Sequence, residues 1–154
     1  MKNKISGETV INLNNLIKYN KFIMDNNTFI TDNNEHIIEP NYKEHLSEPW
    51  FSLILLGLKT VEGRKNKGKF KDMKIGEIIQ WTNSDFVERK VMTRIIDKAE
   101  YPTFEKYLET EGLDKCLPGM ENFGLEHGLS VYFKYYTKED EKNYGVIAIK
   151  IELV

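Results

Sequence analysis

The chain has 154 residues, 40% of them hydrophobic and 12% aromatic, which is enough apolar side chain for one folded domain and argues against wholesale disorder. Its net charge of −2 excludes a uniformly basic nucleic-acid binder and confines any such role to a local patch. Cys116 is the sole cysteine, so an internal disulfide and a multi-cysteine metal site are both excluded.

Residues 1–41 hold ten of the fourteen asparagines, with apolar residues such as Ile11, Leu16, Phe22 and Ile30 between them. Asparagine favours turns because its amide competes for backbone hydrogen bonds. Two readings stand: an irregular, partly ordered extension that packs on the domain and offers a surface to a protein partner, or a tail whose Asn and Lys content reflects only base composition. From Tyr42 onward the pattern sharpens into a second unit, residues 42–154. Ser47-Glu48-Pro49 reads as a helix start, with a hydroxyl cap, an acid in the first turn and proline where its missing N–H does no harm. Trp50, Leu53, Ile54 and Gly57 then fall at helical spacing, and Gly57 is a natural stop. Thr60–Arg64 reads as a short strand. Residues 65–76 form a basic loop with Lys65, Lys67, Lys69, Lys71 and Lys74 against a single acid, Asp72. Glu77–Thr82 and Phe86–Ile96 make a hairpin, with Val87, Val91, Thr93 and Ile95 on one side at period two. Pro102–Glu111 and Leu125–Tyr136 are helical. Thr137 followed by three acids caps a short final turn. Tyr144–Val154 is a strand, and its apolar run at 145–149 implies burial on both faces. Helix, strand, hairpin, two helices and strand suit an α+β sheet of barrel type more than a doubly wound one.

No apolar run approaches the roughly 20 residues that span a bilayer, and the first ten residues lack the apolar stretch of a signal peptide. The expectation is a soluble intracellular protein, cytoplasmic or nuclear, with no membrane contact, no cofactor and no metal. His36, His45 and His127 have no metal-like spacing, and Cys116 reads as a structural thiol.

The residues with most chemical content are Gly57-Leu58-Lys59-Thr60-Val61-Glu62-Gly63-Arg64. Along a strand Thr60, Glu62 and Arg64 share a face. Lys59, at the helix-to-strand corner, has the reach to join them. An ammonium, a carboxylate and a guanidinium gathered in a cleft can clamp an anionic or base-like ligand: Arg as a planar fork, Lys as a point charge, Glu as an acceptor for amino groups. The same residues also fit an ordinary surface ion pair with no ligand role. The lysine loop is a candidate for phosphate contacts, above all Lys65, Lys67 and Lys69. Trp50 and Tyr136 are candidates for stacking a base, while Trp81 reads as core or rim.

The spacing Gly-x-Lys-x-x-Glu-x-Arg, met by Gly57, Lys59, Glu62 and Arg64, resembles the signature of the ASCH family within the PUA-like superfamily. The resemblance extends through Lys74–Ile79, Tyr101–Phe104, Glu111–Leu113, Leu117–Gly119 and Tyr144–Val146, and covers about residues 42–154. It implies a small mixed β-barrel with flanking helices, and a cleft beside the opening helix that binds RNA or a nucleotide-like molecule. One bacterial branch of the family hydrolyses the amide of N4-acetylcytidine with a Lys, a Thr and a Glu. On that likeness Lys59 aligns with the lysine, and Glu111, or Glu109 nearly as well, matches the glutamate. Glu62 stands in the place of the threonine, with Thr60 two residues earlier. A hydrolase or ribonuclease with Lys59, Glu62 and Glu111 as catalytic groups is therefore the alternative to a binding module.

Overall fold

In the computed structural model of the protein, residues 38–85 and 87–154 are described. The reading of an Asn-rich extension over 1–41 thus lies outside the described residues up to position 37. The elements, in chain order, are β1 (Tyr42–His45), α1 (Trp50–Leu55), β2 (Val61–Lys65), α2 (Lys69–Asp72), β3 (Ile78–Asn83), β4 (Arg89–Tyr101), α3 (Phe104–Glu111) and α4 (Leu113–Cys116). A 3₁₀ turn (Glu121–Phe123), α5 (Gly124–Tyr132), α6 (Lys138–Tyr144) and β5 (Val146–Leu153) complete them. None of the described helices is long and apolar enough to cross a membrane.

The α+β expectation holds. The barrel expectation holds in part: the sheet is barrel-like but not closed. One five-stranded sheet runs in the order β1-β3-β4-β5-β2, with β1 parallel to β3 and the other neighbours antiparallel. Its edges, β1 and β2, are not hydrogen-bonded to each other. These edge strands have only four and five residues, whereas β4 has thirteen. A short edge offers few ladder bonds for closing a curled sheet on itself.

The hairpin of β3 and β4 and the closing strand form where the alternation and the apolar run predict them. Val91, Thr93 and Ile95 of β4 face inward, and Val146–Ile149 of β5 are buried on both sides. Val87 departs from the pattern: it precedes the strand and is exposed. β4 also continues to Tyr101, past the expected end at Ile96, because β5 supplies partners beyond a register shift between Ile95 and Asp97. Trp81 is fully buried, and its indole N–H donates to Thr93 Oγ1 at 2.8 Å, which resolves its role as core.

Several local expectations are corrected. The first helix begins at Trp50, with Pro49 as its cap residue, a cis Glu48–Pro49 peptide, and no side-chain cap from Ser47. The Glu48 carboxylate instead accepts from Ser52 N at 3.2 Å and Ser52 Oγ at 2.9 Å, and pairs with Arg89. The lysine stretch is not all loop, since Lys65 ends β2 and Lys69–Asp72 makes a helical turn. The helix expected over 125–136 ends at Tyr132, where both Tyr135 N and Tyr136 N donate to the Tyr132 carbonyl. Strand β1 was not foreseen. Asn41 anchors its start on β3, donating to Ile78 O at 2.9 Å and accepting from Ile78 N at 2.7 Å. The cap at Thr137 is as read, a full capping box with Asp140.

One glycine is required by packing. Gly63 sits in β2 between Glu62 and Arg64, and a Cβ there would lie 2.7–2.8 Å from ring atoms and the hydroxyl of Tyr107, which is fully buried. A buried ring held in a close-packed core has no room to retreat. Gly63→Ala is expected to lower unfolding stability by about 1–3 kcal/mol. Urea denaturation checks it, and an unchanged midpoint would show that the Tyr107 ring yields freely.

Candidate functional site

The turn from α1 into β2 delivers Lys59 to the interior, where its side chain is 2% exposed. All three ammonium N–H groups have acceptors. One goes to Val61 O at 2.9 Å, one to the carbonyl of Cys116, and one to Glu62 Oε2 at 3.0 Å. Glu62 is equally enclosed and is flanked on its other side by Arg64, whose Nε lies 2.7 Å from Glu62 Oε1. That contact is electrostatic: the Nε–H is not aimed at the oxygen, so Nε and Nη2 of Arg64 are buried without an aligned hydrogen-bond acceptor among the described residues. The guanidinium lies over the ring of Phe70, 4.8 Å from its centroid, and near Trp81 at 5.7 Å.

Burial is the largest single influence on the Glu62 carboxyl and pushes its pKa up. The charges of Lys59 and Arg64, with the hydrogen bond from Lys59, outweigh it, and the net shift is downward. The carboxylate is therefore ionised at neutral pH. Arg64 moves the opposite way: burial opposes its charge, but Glu62 more than offsets this and raises the pKa. Burial pushes the Cys116 thiol up to about 11, so it is a neutral thiol at pH 7 and a poor nucleophile.

These three charged groups face a concavity of about 380 Å³. Trp50 and Leu46 line one side, Leu117 and Val131 another, and Tyr132, Tyr135 and Tyr136 a third, with His45 and Ser47 at the β1 end. Residues from both sheet edges contribute, so the open side of the sheet is where the cavity lies. Phe104 of α3 is stacked between Tyr132, at 4.6 Å and 19°, and Tyr136, at 5.2 Å and 22°. The Tyr132 hydroxyl meets that of Tyr107 at 3.1 Å. The aromatic wall is thus fixed from behind by α3.

Of the residues singled out from sequence, Trp50, Lys59, Glu62, Arg64 and Tyr136 come together at this cavity. Thr60 does not line it; its backbone carbonyl instead accepts from Ile151 N at 2.9 Å. Glu111 lies elsewhere, accepting from the Tyr101 hydroxyl at 2.6 Å and pairing with Lys150 at 3.5 Å. Glu109 is exposed and pairs with Lys106 at 3.5 Å. The lysine candidates are engaged too. Lys65 pairs with Asp140 at 2.8 Å, Lys67 donates to the Tyr144 hydroxyl at 2.9 Å, and Lys69 pairs with Glu44 at 2.6 Å. Lys71 and Lys74, exposed, have no acidic partner within ion-pair distance among the described residues.

Sequence reasoning missed Tyr132, Val131, Leu117 and the Cys116 carbonyl. Tyr132 stands four residues before Tyr136, a helical spacing that would have paired them. A main-chain carbonyl leaves no trace in residue type.

Removing the charge at the centre of the trio has a predictable cost. Glu62→Gln leaves two buried cations without their counter-ion and is expected to destabilise the fold by about 3–5 kcal/mol at neutral pH. The folded carboxyl titrates below its unfolded value of about 4.3. Its contribution is therefore complete above that value and is lost as pH falls through the lower, folded one. Urea midpoints from pH 7 to pH 3 should show the gap between wild type and Glu62→Gln closing on acidification. A gap constant across that range would contradict the electrostatic assignment.

Comparison with known proteins agrees with the motif. The family model described as "ASCH domain" matches residues 45–154. Among solved structures, the hypothetical protein PH0355 is 34% identical, with a TM-score of 0.65 over 73% of this chain and 98% of that one. Protein PF0455 from Pyrococcus furiosus is also 34% identical, with a TM-score of 0.60 over 73% of this chain and 96% of that one. No curated protein matches the chain.

Proposed function

Because the chain belongs to the ASCH domain family, we propose that it is a binding module that holds RNA, or a nucleotide-like ligand, in the cavity beside α1. The observation that carries this reading is the Arg64 guanidinium, which lines an aromatic-walled cavity of about 380 Å³ beside the Glu62 carboxylate. A forked cation at the wall of a concave, mostly apolar pocket is the kind of convergent polar group that orients a ligand. Aromatic faces stack unpaired bases irrespective of sequence, which suits single-stranded or looped RNA. Lys71 and Lys74 supply the phosphate contacts, with Lys67 beside them, because Lys65 and Lys69 are already ion-paired. The biological setting this fits is RNA metabolism, or regulation linked to transcription or translation. A protein partner for residues 1–41 is compatible with it.

The hydrolase alternative has less support. Lys59 has no free N–H and is a cation held by three acceptors. Thr60 is outside the cavity lining, and Glu111 is engaged by Tyr101 and Lys150. A nucleophile and base within hydrogen-bond reach of each other is the arrangement such chemistry needs.

Fluorescence anisotropy with a labelled single-stranded RNA, measured across a salt series, tests the binding reading. Affinity should fall linearly in log–log form, and Lys71→Ala with Lys74→Ala should reduce the slope by about 0.7 for each phosphate no longer neutralised. Arg64→Ala should weaken binding at every salt concentration by about ten-fold or more. Absence of binding at low salt would remove the proposal. Incubation with labelled RNA and with N4-acetylcytidine should leave both unchanged, and turnover of either by the wild-type chain would favour the hydrolase instead.

A further inference from the structure

We infer that the cavity reads the Watson–Crick edge of a nucleobase and excludes phosphate, an inference that rests on the ligand-binding reading above and specifies its chemistry. The residue pattern alone leaves an anionic and a base-like ligand equally open. Lys59 decides between them. A lysine at a phosphate site presents free N–H groups, and here all three are directed at Val61 O, the Cys116 carbonyl and Glu62. It serves Glu62, not the ligand.

Glu62 and Arg64 both line the cavity, and their contact at 2.7 Å holds the carboxylate and the guanidinium side by side there. Side by side they present an acceptor and a donor. The complementary ligand carries an N–H next to a lone pair in one plane. The Watson–Crick edge of each of the four bases offers such a pair, either a keto oxygen beside a ring N–H or a ring nitrogen beside an amino group. Trp50, Tyr132 and Tyr136 supply flat apolar walls for the ring itself. A phosphate dianion in the same place would lie against the Glu62 carboxylate. The two cations would then face three negative charges, with the nearer cation already paired. Phosphates are placed outside, on Lys71 and Lys74, both exposed.

The test uses the full chain and needs no substitution. Isothermal titration is run with guanosine and uridine, each against its counterpart methylated on the Watson–Crick ring nitrogen, with adenosine and cytidine, each against its counterpart dimethylated on the amino group, and with inorganic phosphate and N-acetylglycine methylamide. At least one nucleoside should bind, with its methylated form weaker by about ten-fold or more. Phosphate should neither bind in the cavity nor displace the nucleoside. Arg64→Lys, which keeps the charge and removes the fork, should weaken the nucleoside to a similar degree. If that variant does not fold, the methylated pair on the wild type still decides. Equal binding of a nucleoside and its methylated form, displacement by phosphate, or binding of the methylamide in place of any nucleoside overturns the inference. RNA binding that persists without nucleoside binding overturns the base-edge assignment alone. Loss of both brings down the RNA-binding reading as well.

Discussion

The buried ammonium of Lys59 is the constraint on which the site depends. Moving a lysine side chain out of water costs several kcal/mol unless its proton donors are met on all sides. Here they are met by groups from two regions of the chain: Val61 and Glu62 on β2, and the carbonyl at the end of α4. The cation therefore ties the helical layer to the edge of the sheet. The same cation keeps Glu62 ionised, and Glu62 in turn keeps Arg64 at the cavity wall. Each charge is tolerable only because of the next, so the trio is one cooperative unit and not three separable contacts.

Rigidity of the opposite wall has another source. Tyr132 and Tyr136 are held by a ring sandwich around Phe104, and Tyr107 fills the space that a side chain at Gly63 would take. The strand carrying Glu62 and Arg64 is therefore in direct contact, through a glycine, with the helix that backs the rings. Glu62 and Arg64 flank that glycine, so the polar and the aromatic halves of the cavity are set by one stretch of β2. Polar placement and ring placement are together preorganised, an arrangement that would lower the ordering cost of taking up the proposed ligand.

Much of this was legible in residue pattern. The Gly57–Arg64 stretch placed Lys59, Glu62 and Arg64 together because strand periodicity and a long side chain at a corner leave few alternatives. The capping box at Thr137 and the double-sided burial of 146–149 follow from equally local rules. What could not be read was non-local. Strand β1 is recognised only by its pairing with Ile79–Thr82, far along the chain. The diversion of Lys65 and Lys69 to Asp140 and Glu44 depends on acids brought in by other elements. The long reach of β4 depends on β5, which follows it by more than forty residues. The barrel expectation holds only in part because neither strand β1 nor the pairing of the two sheet edges was readable.

The unzipped flank between β1 and β2 has a consequence for how such a domain can diversify. Main-chain ladders elsewhere hold the sheet together, so the exposed residues at the cavity mouth carry none of that duty. Exchanging Ser47 or Tyr135, neither of them part of the buried core, would reshape the mouth of the cavity without disturbing any rung of the sheet. A scaffold with its aperture at a discontinuity can change its guest while keeping its frame.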